Sequence, residues 1–132
     1  MAQTISNDHP EIKVVGLLAT TGTVRSGLFQ KRLAEDGIET IVCEDKIQEG
    51  VMAAIYDVKS TQADRPREAI KRDLVASAQS LVSRGALGII AGCTEIPLVL
   101  SQRDLSVPYF DVLLLLARAA IRLAGKEPLP LQ

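Results

Sequence analysis

Apolar positions change their spacing in a regular order along this chain, and that order predicts strands alternating with helices. Residues 1–12, polar through Pro10, predict a flexible N-terminal lead-in. After Lys13 the run Val14 to Ala19 is continuously apolar, the pattern of a strand covered on both faces in a parallel sheet. It stops at Thr20-Thr21-Gly22-Thr23. Val24 and Leu28, with Phe29 and Leu33, then repeat at helical spacing up to a stop signal at Gly37. Ile38 to Val42 predicts a second strand.

Ile47, Val51 and Ile55, with Met52 and Tyr56 beside them, are again helical in period. A polar break from Ser60 to Pro66 follows. A longer helix then carries Ile70, Leu74, Ala78, Leu81 and Val82 on one face and ends at Gly85. Leu87 to Ala91 predicts a third buried strand. Gly92-Cys93-Thr94-Glu95 opens a short helix through Leu100, and Val107 to Phe110 a fourth strand. The pattern predicts one α/β domain over residues 13–125, with about four mostly parallel strands flanked by helices, and a tail at 126–132.

The last predicted helix, about 111–124, is apolar nearly all round. From Val112 to Ala124 only Arg118 and Arg122 are polar. Such a helix needs cover on more than one side, and a sheet of about four strands cannot supply it. The expectation is that another subunit or domain packs there.

Composition narrows the function classes. The chain has 132 residues, 15 basic against 16 acidic, and 47% apolar side chains, which fits a single domain with a core. Its four aromatics are Phe29, Tyr56, Tyr109 and Phe110. Near-neutral charge and so few stacking platforms argue against nucleic acid as a partner. Arg65, Arg67, Lys71 and Arg72 are diluted by Glu68 and Asp73 and read as a solvated helix face. The single histidine, His9, would have to serve any triad or histidine metal site, so no metal is expected. Cys43 and Cys93 lie 50 positions apart, without a CxxC motif or a disulfide framework. With no signal peptide and no uncharged apolar stretch of about 18 residues, the expectation is a cytoplasmic protein without a membrane span.

Ligands of an open parallel sheet bind beyond the carboxyl ends of its strands, and two segments fall there. In the first, Thr20, Thr21 and Thr23 place hydroxyls at a helix start, and Gly22 allows close approach of the backbone. Helix caps and an anion site are both open readings of these threonines. In the second, Cys93 at a helix start feels the positive end of the helix dipole, which lowers a thiol pKa. Thr94 is a cap or an anion ligand, Glu95 puts a carboxylate beside the thiol, and Pro97 fits a first helical turn. Cys43, in Ile41-Val42-Cys43-Glu44, lacks glycine or hydroxyl neighbours and reads as a buried small hydrophobe.

Together, Val15-Gly16-Leu17-Leu18-Ala19-Thr20-Thr21-Gly22-Thr23, Gln48-Glu49 through Ile55-Tyr56, Gly92-Cys93-Thr94-Glu95-Ile96-Pro97-Leu98 and Val107-Pro108 through Asp111 resemble the second half of the aspartate/glutamate racemase family. The match is collinear from about Lys13 to Gly125. Glu95 after Cys-Thr resembles the aspartate-racemase branch, where the glutamate-racemase branch usually has histidine.

The resemblance implies chemistry without pyridoxal phosphate, metal or other cofactor. One cysteine thiolate removes the α-proton of an amino acid, and a second cysteine returns a proton to the opposite face. By position Cys93 matches the second catalytic cysteine. Thr20, Thr21, Thr23 and Thr94 match positions that hold the substrate carboxylate, and Glu95 adjoins the thiol. The first domain of such racemases, with its Cys-Asn-Thr-type segment, has no counterpart here, and Cys43 falls where the family more often has proline. The expected function is therefore a racemase half-site for an amino acid or dicarboxylate, completed by a second copy or by a partner carrying the other half. The alternatives are a carboxylate-binding remnant of a truncated racemase and a single-cysteine enzyme resembling the arylmalonate decarboxylases.

Overall fold

A computed structural model describes residues 1–60 and 64–130. Its order is α1 (Ala2–Asp8), β1 (Val14–Leu18), α2 (Thr21–Ser26), α3 (Leu28–Ala34), β2 (Glu39–Val42), α4 (Asp45–Lys59), α5 (Arg67–Ser83), β3 (Ile89–Ala91), β4 (Tyr109–Asp111) and α6 (Val112–Leu123). The continuous apolar runs are strands buried on both faces. Successive side chains of a strand point to opposite sides. Accordingly Val15, Leu17 and Ala19 join one core cluster with Ile5, Ile12, Leu33 and Ile90. Leu18 joins the other, with Val51, Ile55, Leu74, Leu81 and Ile89. Gly16 lets α5 approach the sheet, because a Cβ there would lie 2.8 Å from Leu81 Cβ.

The four strands run in the order β2-β1-β3-β4, and every pair is parallel. From β1 the chain moves to one side to form β2, then to the other side for β3 and β4. Neighbouring loops therefore diverge beyond the carboxyl ends of β1 and β3, which opens a crevice at that switch point.

Several boundaries differ from the sequence expectations. The expected loose lead-in contains α1, whose Ile5 is fully buried and whose Ala2 is 7% exposed. Two apolar residues one turn apart, with Ile12 beyond them, suffice to dock it. The single helix expected after Thr23 is two, α2 and α3, separated at Gly27. That residue has φ +67°, a left-handed conformation open to glycine that ends one helix and turns the chain into the next. The short helix expected from Gly92 to Leu100 is only one 3-10 turn, Ile96–Leu98. β3 and β4 are three residues each, shorter or shifted relative to the apolar runs. Part of the polar break (residues 61–63) and the end of the tail (residues 131 and 132) lie outside the described residues.

Ten of the twelve residues of α6 are apolar, and none is buried. Only Val112 and Leu115 pack against the core, while Leu113, Leu116 and Leu123 are exposed. Among the described residues, no helix is long and apolar enough to cross a membrane.

Candidate active site

The loop after β1 is built by α2 and α4. Thr20 is the N-cap of α2, its Oγ1 accepting the Thr23 backbone N–H at 3.2 Å and lying 2.9 Å from Thr23 Oγ1. The cap reading thus holds for this pair. With six residues, α2 is too short to bring much dipole to an anion. Gly22 is exposed and a Cβ there would meet nothing within 4 Å, so close packing of the protein does not require glycine at that position. Thr21 is different, because α4 holds it. Its backbone N–H donates to Met52 Sδ at 3.1 Å, and its Oγ1 accepts from Gln48 Nε2 at 3.3 Å.

The loop after β3 starts beside it. The Gly92 N–H donates to Leu18 O at 2.8 Å, and a Cβ on Gly92 would lie 2.9 Å from Leu17 Cδ1 and 3.1 Å from Ala19 Cβ. Glycine is needed for the two loops to leave the sheet side by side. The half-buried Cys93 follows, its Sγ donating to Glu95 Oε2 at 2.8 Å. Thr94 Oγ1 donates to the same oxygen at 2.9 Å, and Lys59 Nζ at the end of α4 lies 3.7 Å from Glu95 Oε1.

The sequence expectation of a thiol acidified by a helix start is overturned here. No α-helix begins at Cys93, and its thiol is raised above the ordinary cysteine value, first by burial and then by its hydrogen bond to the Glu95 carboxylate. Glu95 is correspondingly lowered, chiefly by that same bond, with Thr94 and Lys59 helping against the cost of burial. The pair is a protonated thiol on an ionised carboxylate. Cys43 lies in the core at 7% exposure, where desolvation pushes its thiol up to about 11 against the opposing pull of Arg84.

Sequence reading missed Lys59 altogether and gave Gln48 no role. Gln48 is 7% exposed, donates from Nε2 to Ala19 O at 2.9 Å as well as to Thr21, and its buried Oε1 accepts no hydrogen bond among the described residues. The signal for it was a polar residue on the apolar stripe of α4, three positions before Val51 and seven before Ile55.

Other candidates stand apart from the crevice. A cleft of about 980 Å³ runs between α6 and the β4 edge and is lined by His9, Pro97, Tyr109, Leu114, Arg118 and Arg122 among others, without Cys93. His9 pairs with Glu11 and packs edge-on against Phe110. Two members of the basic cluster are salt-bridged, Arg65 to Asp57 and Asp73, and Lys71 to Asp104. Among the described residues, no three His, Cys, Asp or Glu side chains are grouped to hold a metal ion.

Comparison with known proteins places this geometry in context. Residues 1–120 match the family model described as Asp/Glu/Hydantoin racemase. An uncharacterised protein of the pnlA 3′ region of Pectobacterium carotovorum subsp. carotovorum is 36% identical over 108 residues, which are 76% of this chain and 64% of that protein. A candidate Asp/Glu racemase from Yersinia pestis superposes with a TM-score of 0.80 at 32% identity, over 95% of this chain and 54% of its own. An aspartate racemase homologue from Pyrococcus horikoshii OT3 gives 0.78 at 31% identity, over 95% and 53%. The aspartate racemase of Picrophilus torridus gives 0.77 at 26% identity, over 96% and 50%. The chain spans about half the length of these solved relatives.

Proposed function

The chain belongs to the Asp/Glu/hydantoin racemase family, and on that premise we propose that it supplies the Cys93-bearing half of a cofactor-independent racemase site for an acidic amino acid. The observation that carries the reading is the Cys93 to Glu95 hydrogen bond at the end of β3, beside the Thr20–Thr23 loop at the end of β1. Stereoinversion needs an acid and a base on opposite faces of the α-carbon. A base from outside these 132 residues, on a second copy or another segment, removes the α-proton and leaves a carbanion. The Cys93 S–H bond breaks, its proton goes to the opposite face of that carbon, and a thiolate remains near Lys59. In the reverse direction the thiolate takes the α-proton. The Thr21 hydroxyl is the donor offered to the substrate carboxylate, while the Thr94 hydroxyl gives its proton to the Glu95 carboxylate.

The test is incubation with each enantiomer of aspartate and glutamate in deuterium oxide, comparing wild type with Cys93→Ser. Deuterium at the α-carbon with inversion in wild type, lost in the variant, supports the reading. Exchange with retention means that a single thiol works alone. Absence of exchange with all four substrates rejects turnover by this chain. Burial of the other thiol, Cys43, in the core favours a second reading, a carboxylate-binding domain without turnover, which predicts aspartate binding with no exchange.

A further inference from the structure

Gln48 is buried, donates two hydrogen bonds, and keeps an acceptor that no group among the described residues uses. The carbonyl of Ala19 can only accept, so the amide must turn its NH2 group toward it. One N–H goes to Ala19 O, the other to Thr21 Oγ1, and Oε1 is thereby directed away from both, buried and unpartnered among the described residues. Buried acceptors are nearly always satisfied, and an unsatisfied one in a folded protein calls for a reason. Here the same helix also pins the Thr21 backbone through Met52.

The consequence lies at the Thr21 hydroxyl. An oxygen that accepts an N–H keeps its own proton for some other acceptor. We infer that Gln48 is a positioning residue that sets Thr21 as a hydrogen-bond donor into the crevice, so that the β1 loop offers a proton to an acceptor such as a carboxylate. The inference rests on the carboxylate-binding reading above. It separates the three threonines: Thr20 and Thr23 satisfy each other as a cap, whereas Thr21 is held for a ligand by a residue 27 positions away.

A double-mutant cycle on the full chain tests it, with Kd measured by calorimetry for L-aspartate, D-aspartate and succinate. Thr21→Val raises Kd about 10–100-fold, the size of one hydrogen bond to a charged group. Gln48→Met raises it about 5-fold in the wild-type background and has no further effect in Thr21→Val, because the two act through one hydroxyl. Equal losses in both backgrounds would show Gln48 to be structural only and overturn the inference, while leaving carboxylate binding intact. If Gln48→Met does not fold, Gln48→Asn carries the same cycle: its amide is one methylene too short to reach Thr21 Oγ1, so Kd rises about 5-fold in the wild-type background and no further in Thr21→Val, and equal losses in both overturn the inference. Absence of binding of all three acids to wild type overturns the carboxylate reading, and the role of Gln48 falls with it.

Discussion

Cys43 and Cys93 occupy similar places, each within two residues of the carboxyl end of a strand in one sheet, yet they sit in different surroundings. Cys43 follows the outer strand β2 and is sealed among Leu18, Val51, Ile55 and Leu81. Cys93 follows β3 at the switch point, half-exposed, with a carboxylate accepting its hydrogen bond and a lysine beyond that carboxylate. Both thiols are raised, but burial dominates one with only Arg84 opposing it, while a specific hydrogen bond adds to burial in the other. A strand end by itself does not make a thiol chemical. Divergence of the neighbouring loops and an acceptor within hydrogen-bond reach distinguish the two.

The comparison breaks most sharply on proton exchange. Cys93→Ala is expected to lower α-deuterium incorporation into aspartate about 10²–10⁴-fold, the range for loss of a general acid or base. Cys43→Ala leaves incorporation unchanged, as read by mass spectrometry of the amino acid. Equal losses would mean that the two thiols are not functionally distinct.

The next largest effect is on stability at high pH. The folded-state value of Cys43, about 11, exceeds its ordinary 9.0, so the native state holds that proton longer than the unfolded chain. Its contribution is complete below pH 9.0 and is lost as pH rises through about 11. That amounts to about 2–3 kcal/mol. Urea unfolding between pH 7 and 11 should show this fall in wild type and a shallower one in Cys43→Ala. Parallel curves would place Cys43 in contact with solvent.

Smaller effects sharpen the account of Cys93. Glu95→Gln removes the charge that raises its thiol and leaves only a weaker, neutral acceptor, so alkylation by iodoacetamide at pH 8 should quicken about 3–10-fold. Lys59→Met acts in the opposite sense, because Lys59 lowers the thiol. Cys43 should stay unmodified in all three folded proteins. Leu116→Lys on the exposed face of α6 should change stability by less than about 0.5 kcal/mol. Any fall in exchange that it causes therefore acts through whatever covers α6, and sedimentation at rising concentration reads that directly.

Much of this was legible in the chain. The doubly buried run before Thr20 located β1, and the glycine before Cys93 marked a close approach that the Leu17 and Ala19 contacts explain. The α1 docking was not legible, because Ala2 and Ile5 are too few to give a periodic signal. The break at Gly27 was hidden by apolar residues that keep four-residue spacing across two helices. The state of Cys93 was misread for a local reason: strand, glycine and hydroxyl predicted a helix start, and Pro97 sits instead in a single 3-10 turn.

The sequence alone determined the alternation of strands and helices, the parallel sheet, the two loops beyond the carboxyl ends of β1 and β3 and the family to which the chain belongs, because periodicity and motif spacing are properties of neighbouring residues. Tertiary structure decided which threonine is bonded to α4, why the Cys93 thiol is raised and which apolar helix is buried. The first depends on Gln48, which is 3.3 Å from Thr21 Oγ1 and 27 positions away, and the second on the burial of Cys93 together with its bond to Glu95, which Lys59, at the end of α4, approaches to 3.7 Å. Hydrogen bonding and desolvation act over such short distances that no pattern along the chain encodes them.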